Sequence, residues 1–289
     1  MEIGIWIPST EFDVPPERLF RFASDMERLG FAYLESSDHV LTTRLPAKHR
    51  SATMMARGYH EPLLLFAMLA PHTSLGFATS ILVLPQRPAA LVAKQMADLV
   101  WWLDDRFRFG VGSGWNASEF GALGTDFTRR GSVLSEQVEV IEALWAGTFV
   151  DYVGDHHQLD GIGIAPAPPR PGPPLWFGGH SRRVLERVAR HGEGWMPLIE
   201  PNDPSLGAEI ELLRQLTGEQ GRDPAGLGLE GRTALPLASR LDEAIRSADR
   251  WRSLGATHLT LSYEGAGFAD LDVVTESARL FSHRWAAGY

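Results

Sequence analysis

Residues 75–112, LGFATSILVLPQRPAALVAKQMADLVWWLDDRFRFGVG, contain two strand-like segments separated by a helical one. The first, Leu75–Leu84, is rich in branched apolar residues that are typical of strands. Pro88–Leu103 begins with a proline, which suits the first turn of a helix, and Arg106–Gly112 then resumes the strand pattern. A strand, a helix and a second strand in this order predict a βαβ unit with two parallel strands.

The same alternation continues from one end of the chain to the other. The predicted strands are Met1–Ile7, Ala32–Glu35, Leu75–Leu84, Arg106–Gly112, Leu175–Phe177, Gly194–Leu198, Gly228–Ala234 and His258–Tyr263. The predicted helices are Pro15–Leu29, Pro62–Ala70, Pro88–Leu103, Arg129–Ala146, Ser181–His191, Pro204–Gln220, Leu241–Leu254 and Leu271–Trp285. Eight such pairs predict an α/β fold of the (β/α)8 TIM-barrel type. A doubly wound sheet would carry a glycine fingerprint after its first strand, but that position holds Pro8–Phe12.

Two stretches interrupt the alternation. Phe149–Pro174 is rich in proline, and we interpret it as a small hairpin and an irregular connector inserted between strands four and five. Leu41–Gly58 is a long polar loop, and loops of this length in a compact domain are usually functional. Neither has the character of a domain boundary, so we expect residues 1–289 to form a single domain.

Composition excludes several classes of protein. The 289 residues contain no cysteine, which excludes disulfides and thiolate metal sites. The net charge of −9 argues against a nonspecific nucleic-acid surface. The N-terminus begins directly as a strand, and the chain has no apolar run long enough to cross a membrane. The cytoplasm is therefore the expected location.

Residues just past the strand ends are the candidates for chemistry, because barrel active sites lie there. Strand four ends in the glycine-rich segment Gly110–Asn116, and strand five ends in Gly178–Ser181. Bare backbone N–H groups that open onto a helix N-terminus suit a phosphate, to which Arg182 and Arg183 could add charge. Two such turns on neighbouring strands favour a phosphorylated cofactor, although each alone is compatible with a simple tight turn.

Asp38 and His39 form an adjacent acid and imidazole at the end of strand two. A carboxylate can orient an imidazole for proton transfer near neutral pH, although two polar residues in a surface loop would look the same. No catalytic metal is expected, because histidines such as His156 and His157 do not follow strand ends. Ser113 lacks the Gly-x-Ser-x-Gly context of a serine hydrolase.

An ordered set of motifs over nearly the whole chain resembles the bacterial-luciferase-like flavin oxidoreductases, and most closely their branch that uses the deazaflavin coenzyme F-420. The motifs are Ser37–Val40, Ala78–Pro85, Arg87-Pro88 with Lys94-Gln95, Gly110–Trp115 with Glu119-Phe120 and Leu123-Gly124, Pro174–Gly179, and Gly192–Pro197. Each motif is weak alone, but the ordered set is specific.

The resemblance implies a reduced deazaflavin at the barrel mouth, a homodimer, and a non-prolyl cis peptide at Ser80–Ile81 beside the ring. It places Asp38 and His39 next to the ring, with His39 handling a proton and Asp38 positioning either His39 or the ring. The residues predicted to contact the cofactor are Asp38, Thr79, Ser80, Gly112, Ser113, Gly114, Asn116, Gly178, Gly179 and Ser181. Sugar-phosphate dehydrogenases of this branch carry a glutamate where this chain has Trp115-Asn116, so the resemblance does not extend to that substrate.

Four functions follow as hypotheses. The first is hydride transfer between F-420 and a small organic substrate. The second is an FMN-dependent monooxygenase that uses O2 and a partner flavin reductase. The third is a noncatalytic flavin-binding protein, against which the Asp38-His39 pair argues, and the fourth is a metallohydrolase.

Overall fold

A computed structural model describes residues 1–8, 14–46, 59–169, 172–235, 238–263, 268 and 270–288. Its strands are β1 (Glu2–Trp6), β2 (Tyr33–Ser36), β3 (Gly76–Thr79), β4 (Leu82–Val83), β5 (Phe107–Gly112), β6 (Val150–Val153), β7 (Gln158–Ile162), β8 (Leu175–Gly178), β9 (Gly194–Met196), β10 (Gly228–Ala234) and β11 (His258–Ser262). Its α-helices are α1 (Pro16–Arg28), α2 (Pro62–Leu69), α3 (Ala89–Leu103), α4 (Ala117–Ala122), α5 (Arg130–Ala146), α6 (Arg182–His191), α7 (Leu206–Glu219), α8 (Leu241–Ser253) and α9 (Leu271–Ala286).

The main sheet is a closed parallel barrel of eight strands. Its order is β3-β2-β1-β11-β10-β9-β8-β5, and an additional pairing between β3 and β5 closes the ring. The short β4 continues the third barrel strand after a break and pairs with β5. The predicted (β/α)8 barrel is therefore confirmed, with helices between successive strands.

The insertion between the fourth and fifth barrel strands is also confirmed. Strands β6 and β7 pair antiparallel and form the expected hairpin between α5 and β8. Part of the long polar loop, residues 47–58, lies outside the described residues. Within the described part of the chain, no helix has both the length and the apolar character needed to span a membrane.

The helices form where the apolar period predicts them. In α1, Leu19, Phe22, Ala23 and Met26 are buried on one face, and Gly30 follows the helix with a φ of 81°. That left-handed conformation is the usual helix stop, and glycine adopts it without steric cost. The boundaries of the predicted helices agree with the sequence to within two residues, and among the described residues α4 is an additional helix that the sequence did not predict.

Glycine and aromatic residues fill the barrel interior by complementary size. A Cβ on Gly4 would lie 2.1 Å from the ring of Tyr33 on the next strand. Gly194 and Gly228 leave space for Trp176 in the same way, since a Cβ added to them would lie 2.3 and 2.2 Å from its indole ring. These glycines allow large side chains into a narrow barrel, whose interior is otherwise filled in layers.

The third barrel strand is interrupted where the sequence predicts one continuous strand, Leu75–Leu84. Strand β3 ends at Thr79, a cis peptide joins Ser80 to Ile81, and β4 begins at Leu82. The predicted non-prolyl cis bond at Ser80–Ile81 is thus confirmed. The apolar composition that suggested a continuous strand instead reflects burial on both sides of the break.

Candidate active site

Four neighbouring strands bring the predicted site segments together at one end of the barrel. Strands β2, β3, β5 and β8 are adjacent in the closed sheet, so their carboxyl ends share one rim. Ser80 N donates to the Ser36 carbonyl at 2.9 Å, and the Ser37 hydroxyl donates to the Ser80 carbonyl at 2.7 Å. The end of β2 therefore holds the residue that precedes the cis peptide.

The Ile81 side chain packs into the barrel wall against two of the predicted glycines. A Cβ on Gly112 would lie 2.7 Å from Ile81 Cδ1, and one on Gly178 would lie 2.5 Å from Ile81 Cγ2. Any side chain at these two positions would displace Ile81, because such distances are well inside van der Waals contact. Packing is therefore a sufficient reason for glycine at both sites.

His39 is paired with a carboxylate that lies 80 residues away along the chain. Its Nδ1 lies 2.9 Å from Oε2 of Glu119, which is 1% exposed. The Tyr59 and Trp115 rings lie beside the imidazole, with centroid distances of 5.1 and 5.6 Å. With Nδ1–H donating to the carboxylate, Nε2 is the ring nitrogen left to accept a proton.

The Glu119 carboxylate is held ionised by its neighbours. Burial alone would raise its pKa, but hydrogen bonds from the His39 ring and the Leu41 backbone N–H outweigh burial and lower the pKa. The Leu41 N–H lies 3.0 Å from Oε1, so one carboxylate binds both the imidazole and the loop after β2. This is the arrangement in which a fixed anion orients an imidazole and stabilises its protonated form.

Asp38 makes a different set of contacts from those of His39. Its carboxylate accepts hydrogen bonds from Arg87 Nη2 at 2.8 Å and from the Val83 N–H at 2.9 Å. Burial opposes the charge on Arg87, but Asp38 and Glu61 outweigh it and raise the pKa of the guanidinium. The described contacts of Asp38 therefore join it to Arg87 and Val83, and its role in positioning His39 or the ring stays a prediction.

Two other predicted residues use their polar groups within the protein. Thr79 is fully buried, and its hydroxyl donates to the Gly110 carbonyl at 2.7 Å. Asn116 is 4% exposed, and its Nδ2 donates to the Thr43 hydroxyl at 2.8 Å. These contacts tie the wall of the barrel and the loop after β2 to the turn that follows β5.

The two glycine-rich turns lie at the mouth as expected. Gly114 and Gly179 have φ values of 74° and 111°, which L residues with side chains rarely adopt. Ser113 is half-buried next to Gly114. Ser181 occupies the N-cap position of α6, and among the described residues its side chain makes no capping hydrogen bond to that helix.

A charged side chain reaches the mouth from inside the barrel. Arg232 Nη2 donates to the Ser80 hydroxyl at 2.8 Å and to Glu35 Oε1 at 2.5 Å. Its guanidinium carbon lies 4.8 Å from the centroid of the Trp6 ring. The buried Trp6 Nε1 has no hydrogen-bond partner within the described part of the chain, so it is a donor available to a bound group.

The described residues contain no group of three or more histidines and carboxylates placed to hold a metal ion. His157 Nδ1 instead lies 2.8 Å from Glu136, and His156 Nε2 lies 3.0 Å from the Ser132 hydroxyl. Both histidines fasten the inserted hairpin to α5.

Sequence reasoning missed Glu119, Arg87, Glu35 and Arg232. Glu119 lies three residues beyond the turn, on the short helix α4; it is part of the motif Glu119-Phe120, which predicts no role for it. Glu35 and Arg232 lie within strands. Their signal is a charged residue at the inward positions of a two-residue period.

The family model for luciferase-like monooxygenases matches residues 1–277 of the chain. An uncharacterised protein of Mycobacterium tuberculosis is 35% identical over 171 residues, which cover 57% of this chain and 58% of that relative's length. An FMNH2-dependent dimethylsulfone monooxygenase of Pseudomonas putida is 29% identical over 73% of this chain and 56% of its own length. The chain thus spans somewhat more than half the length of these relatives.

The solved structure of an F420-dependent secondary alcohol dehydrogenase, in complex with an F420-acetone adduct, superposes with a TM-score of 0.78. The superposition covers 97% of both chains at 17% identity, so it supports the fold alone. The family model matches almost the entire sequence, and the barrel with its inserted hairpin agrees with that assignment. The chain belongs to the luciferase-like monooxygenase family.

Proposed function

We propose that this protein is an oxidoreductase that transfers a hydride between coenzyme F-420 and a small organic substrate, with His39 as the proton-handling residue. The observation that carries the proposal is the hydrogen-bonded pair of His39 and the buried Glu119 at the mouth of the barrel. Hydride transfer to or from a carbon–oxygen group requires a proton to move on the oxygen. An oriented imidazole performs that step near neutral pH.

The residues at the mouth fit a ring with a phosphate tail. The buried Trp6 Nε1 offers a donor that, among the described residues, has no protein acceptor. The positive φ of Gly114 and Gly179 opens the turns at the ends of β5 and β8, where backbone N–H groups can bind an anion. We therefore assign Trp6 and Ser80 to the ring, and Ser113, Gly114, Gly179 and Ser181 to the tail.

When bound, a deazaflavin would supply or accept the hydride, and the protein would supply placement and electrostatic field. His39 Nε2 donates a proton to the substrate oxygen during reduction, or accepts one from a hydroxyl during oxidation. Glu119 keeps the imidazole in one tautomer and stabilises its charged form, because its carboxylate accepts Nδ1–H. Trp115 and Tyr59 shield this face of the imidazole from water.

The second candidate is an FMN-dependent monooxygenase that receives reduced flavin from a partner reductase. The similarity to the FMNH2-dependent dimethylsulfone monooxygenase of Pseudomonas putida favours it. Both candidates use the same barrel mouth, but they differ in whether O2 is consumed.

The deciding experiment titrates the purified protein with F-420 and with FMN and follows the fluorescence of each ring. Anaerobic turnover of the reduced deazaflavin with a panel of aldehydes, ketones and alcohols is then compared with O2 consumption in the presence of FMN and a flavin reductase. F-420 binding with anaerobic turnover supports the first candidate. FMN binding with substrate-dependent O2 uptake replaces it with the second.

A matched pair of histidine variants tests the role of His39. We expect His39→Asn to lower turnover by roughly 10²–10⁴-fold without loss of cofactor affinity, and His283→Asn, on the exposed face of α9, to behave as the wild type. Unchanged turnover in His39→Asn would remove this residue from the mechanism.

A further inference from the structure

Two glutamates meet in the centre of the barrel, beneath the mouth. Glu35 and Glu230 are 0% and 4% exposed, and the hydroxyl groups of Thr260 and Tyr33 lie between and beside them. We call these four residues the interior acid cluster. They come from β2, β10 and β11, and neither glutamate was assigned a role at the mouth.

Hydrogen counting at Thr260 shows that the cluster needs an additional proton. Thr260 Oγ1 lies 2.5 Å from Glu35 Oε2, 2.8 Å from Glu230 Oε1 and 2.9 Å from the Tyr33 hydroxyl. The threonine hydroxyl proton serves one of these three contacts, and the tyrosine proton serves a second. The third contact joins two oxygens and requires a hydrogen on one of the carboxyl groups.

We propose that Glu35 and Glu230 share a single carboxyl proton at neutral pH. The interior beneath the mouth then carries one negative charge fewer than it would with both carboxyl groups ionised, which favours the binding of an anionic ligand at the mouth. Glu35 then carries the negative charge and pairs with Arg232, which also donates a hydrogen bond to the Ser80 hydroxyl and lies over the Trp6 ring. Glu35 acts as a positioning residue through Arg232, and Glu230 acts on Glu35 through the shared proton and Thr260.

The surroundings of the pair agree with one proton. Burial raises the pKa of Glu230 to about 8, and the charge of Glu35 adds to this effect against the opposing attraction of Arg108. Burial alone would also raise the pKa of Glu35, but Arg232, Glu230 and Thr260 outweigh it and lower that pKa. Two carboxyl groups in contact have one raised and one lowered pKa, because ionising both in a buried site costs much free energy.

The other groups that face the pair are fixed in charge. Arg108 from β5 lies 2.5 Å from Glu230 Oε2 and stacks on the rings of Tyr33 and Trp176, at 4.2 and 4.8 Å. His258 from β11 stays neutral, because burial and the charge of Arg108 lower its pKa to about 3. The Tyr33 pKa is raised well above its ordinary value by burial, so this phenol stays protonated. Among these interior groups, the Glu35–Glu230 pair is therefore the one that titrates near neutral pH.

The affinity of the mouth for an anionic ligand should depend on whether this proton is bound. Loss of the proton adds one negative charge in a region of low dielectric, so it weakens the binding of an anion above. This part of the inference rests on the proposed function, because the reduced ring is the expected anionic ligand. Charge near the ring is one of the means by which a protein tunes its chemistry.

Infrared titration of the cofactor-free wild-type protein in D2O tests the shared proton directly. We expect a protonated-carboxyl C=O band at pH 7 that disappears as the pH rises past about 8. Glu230→Gln should lose this band. The control Glu219→Gln, which changes an exposed glutamate of α7, should keep it. Absence of the band in the wild type at pH 7, or its persistence in Glu230→Gln, would overturn the proposal.

A second measurement tests the link to the mouth. Reduced F-420 and reduced FMN are titrated anaerobically between pH 6 and pH 9. In the wild type, we expect the dissociation constant of the bound ring to rise by up to about tenfold per pH unit above the pH at which the shared proton is lost. In Glu230→Gln, this rise should be absent. An identical pH profile in both proteins overturns the link. If neither ring binds, the proposed function is contradicted, and the infrared titration still decides the shared proton.

Discussion

His39 Nδ1 lies 2.9 Å from Oε2 of Glu119, and this contact joins the loop after the second barrel strand to the helix after the fourth. The carboxylate is buried, whereas the His39 side chain is 12% exposed. An imidazole that is held on one side and accessible on the other can exchange a proton with a ligand. The first prediction follows from this asymmetry.

Glu119→Gln should lower kcat/KM by about tenfold to a hundredfold, because general acid–base catalysis contributes roughly 10²–10⁴-fold. The amide keeps the size of the side chain but does not stabilise a charged imidazole. The double variant, with Glu119→Gln and His39→Asn, should lose much less kcat/KM than the product of the two single losses, since both residues act through one proton. Multiplicative effects in steady-state kinetics would show that the residues act independently.

Asp38→Asn should destabilise the cofactor-free protein by about 3 kcal/mol, since it leaves the Arg87 guanidinium in a largely buried site with a weakened counter-charge. Urea denaturation measures the loss. The matched control is Glu276→Gln, which removes an exposed partner of Arg279 and should change stability much less than Asp38→Asn, because solvent screens this pair. Equal stability of the two variants would contradict a structural role for Asp38.

Gly178→Ala should destabilise the protein by about 1–3 kcal/mol, because the new methyl group would lie 2.5 Å from Ile81 Cγ2. A second substitution, Ile81→Ala, should recover part of this loss by making space. The control Gly121→Ala lies in α4, where an added Cβ meets no atom within 4 Å, and it should raise stability by up to about 1 kcal/mol. Thermal unfolding of the four proteins decides the matter, and a neutral Gly178→Ala would refute the packing argument.

The stability of the cofactor-free protein should fall as the pH rises from about 4.5 to about 8. The Glu230 pKa is raised from its ordinary 4.5 to about 8 in the folded state, so unfolding releases a proton throughout this interval. Its contribution is fully present below pH 4.5 and is lost as the pH passes the folded value. Urea denaturation at several pH values should show this slope in the wild type and a flatter profile in Glu230→Gln. Parallel profiles would argue against the raised pKa.

The strand and helix order was predictable because each βα pair shows its own period. Helices such as α1 bury one stripe of apolar residues, and the barrel strands are short apolar segments between them. The interruption of the third strand was predictable by resemblance only. The composition of Leu75–Leu84 is that of an uninterrupted strand, and no local pattern separates Ser80 from Ile81.

The site was predictable in position but only partly in its contacts. His39 follows the end of the second strand, where the rule for barrel active sites places candidates, whereas Ser80 was indicated by the resemblance only. The partner of His39 was not predictable from spacing, because it depends on how the turn after β5 folds over the loop after β2. Glu230 and Arg232 interrupt the apolar pattern of β10, and their inward position was not predictable, since charged residues are rare in barrel interiors unless they are paired.

Helix α4 carries Glu119 but is not one of the eight helices that alternate with the barrel strands. The barrel scaffold and the carboxylate that pairs with His39 are therefore encoded in separate stretches of sequence. A change in this single short helix would alter the hydrogen-bond partner of His39 Nδ1 while every strand pairing stayed intact. Relatives could diverge in reaction by varying six residues, and an engineer could exchange the same segment to retune the enzyme without redesigning its barrel.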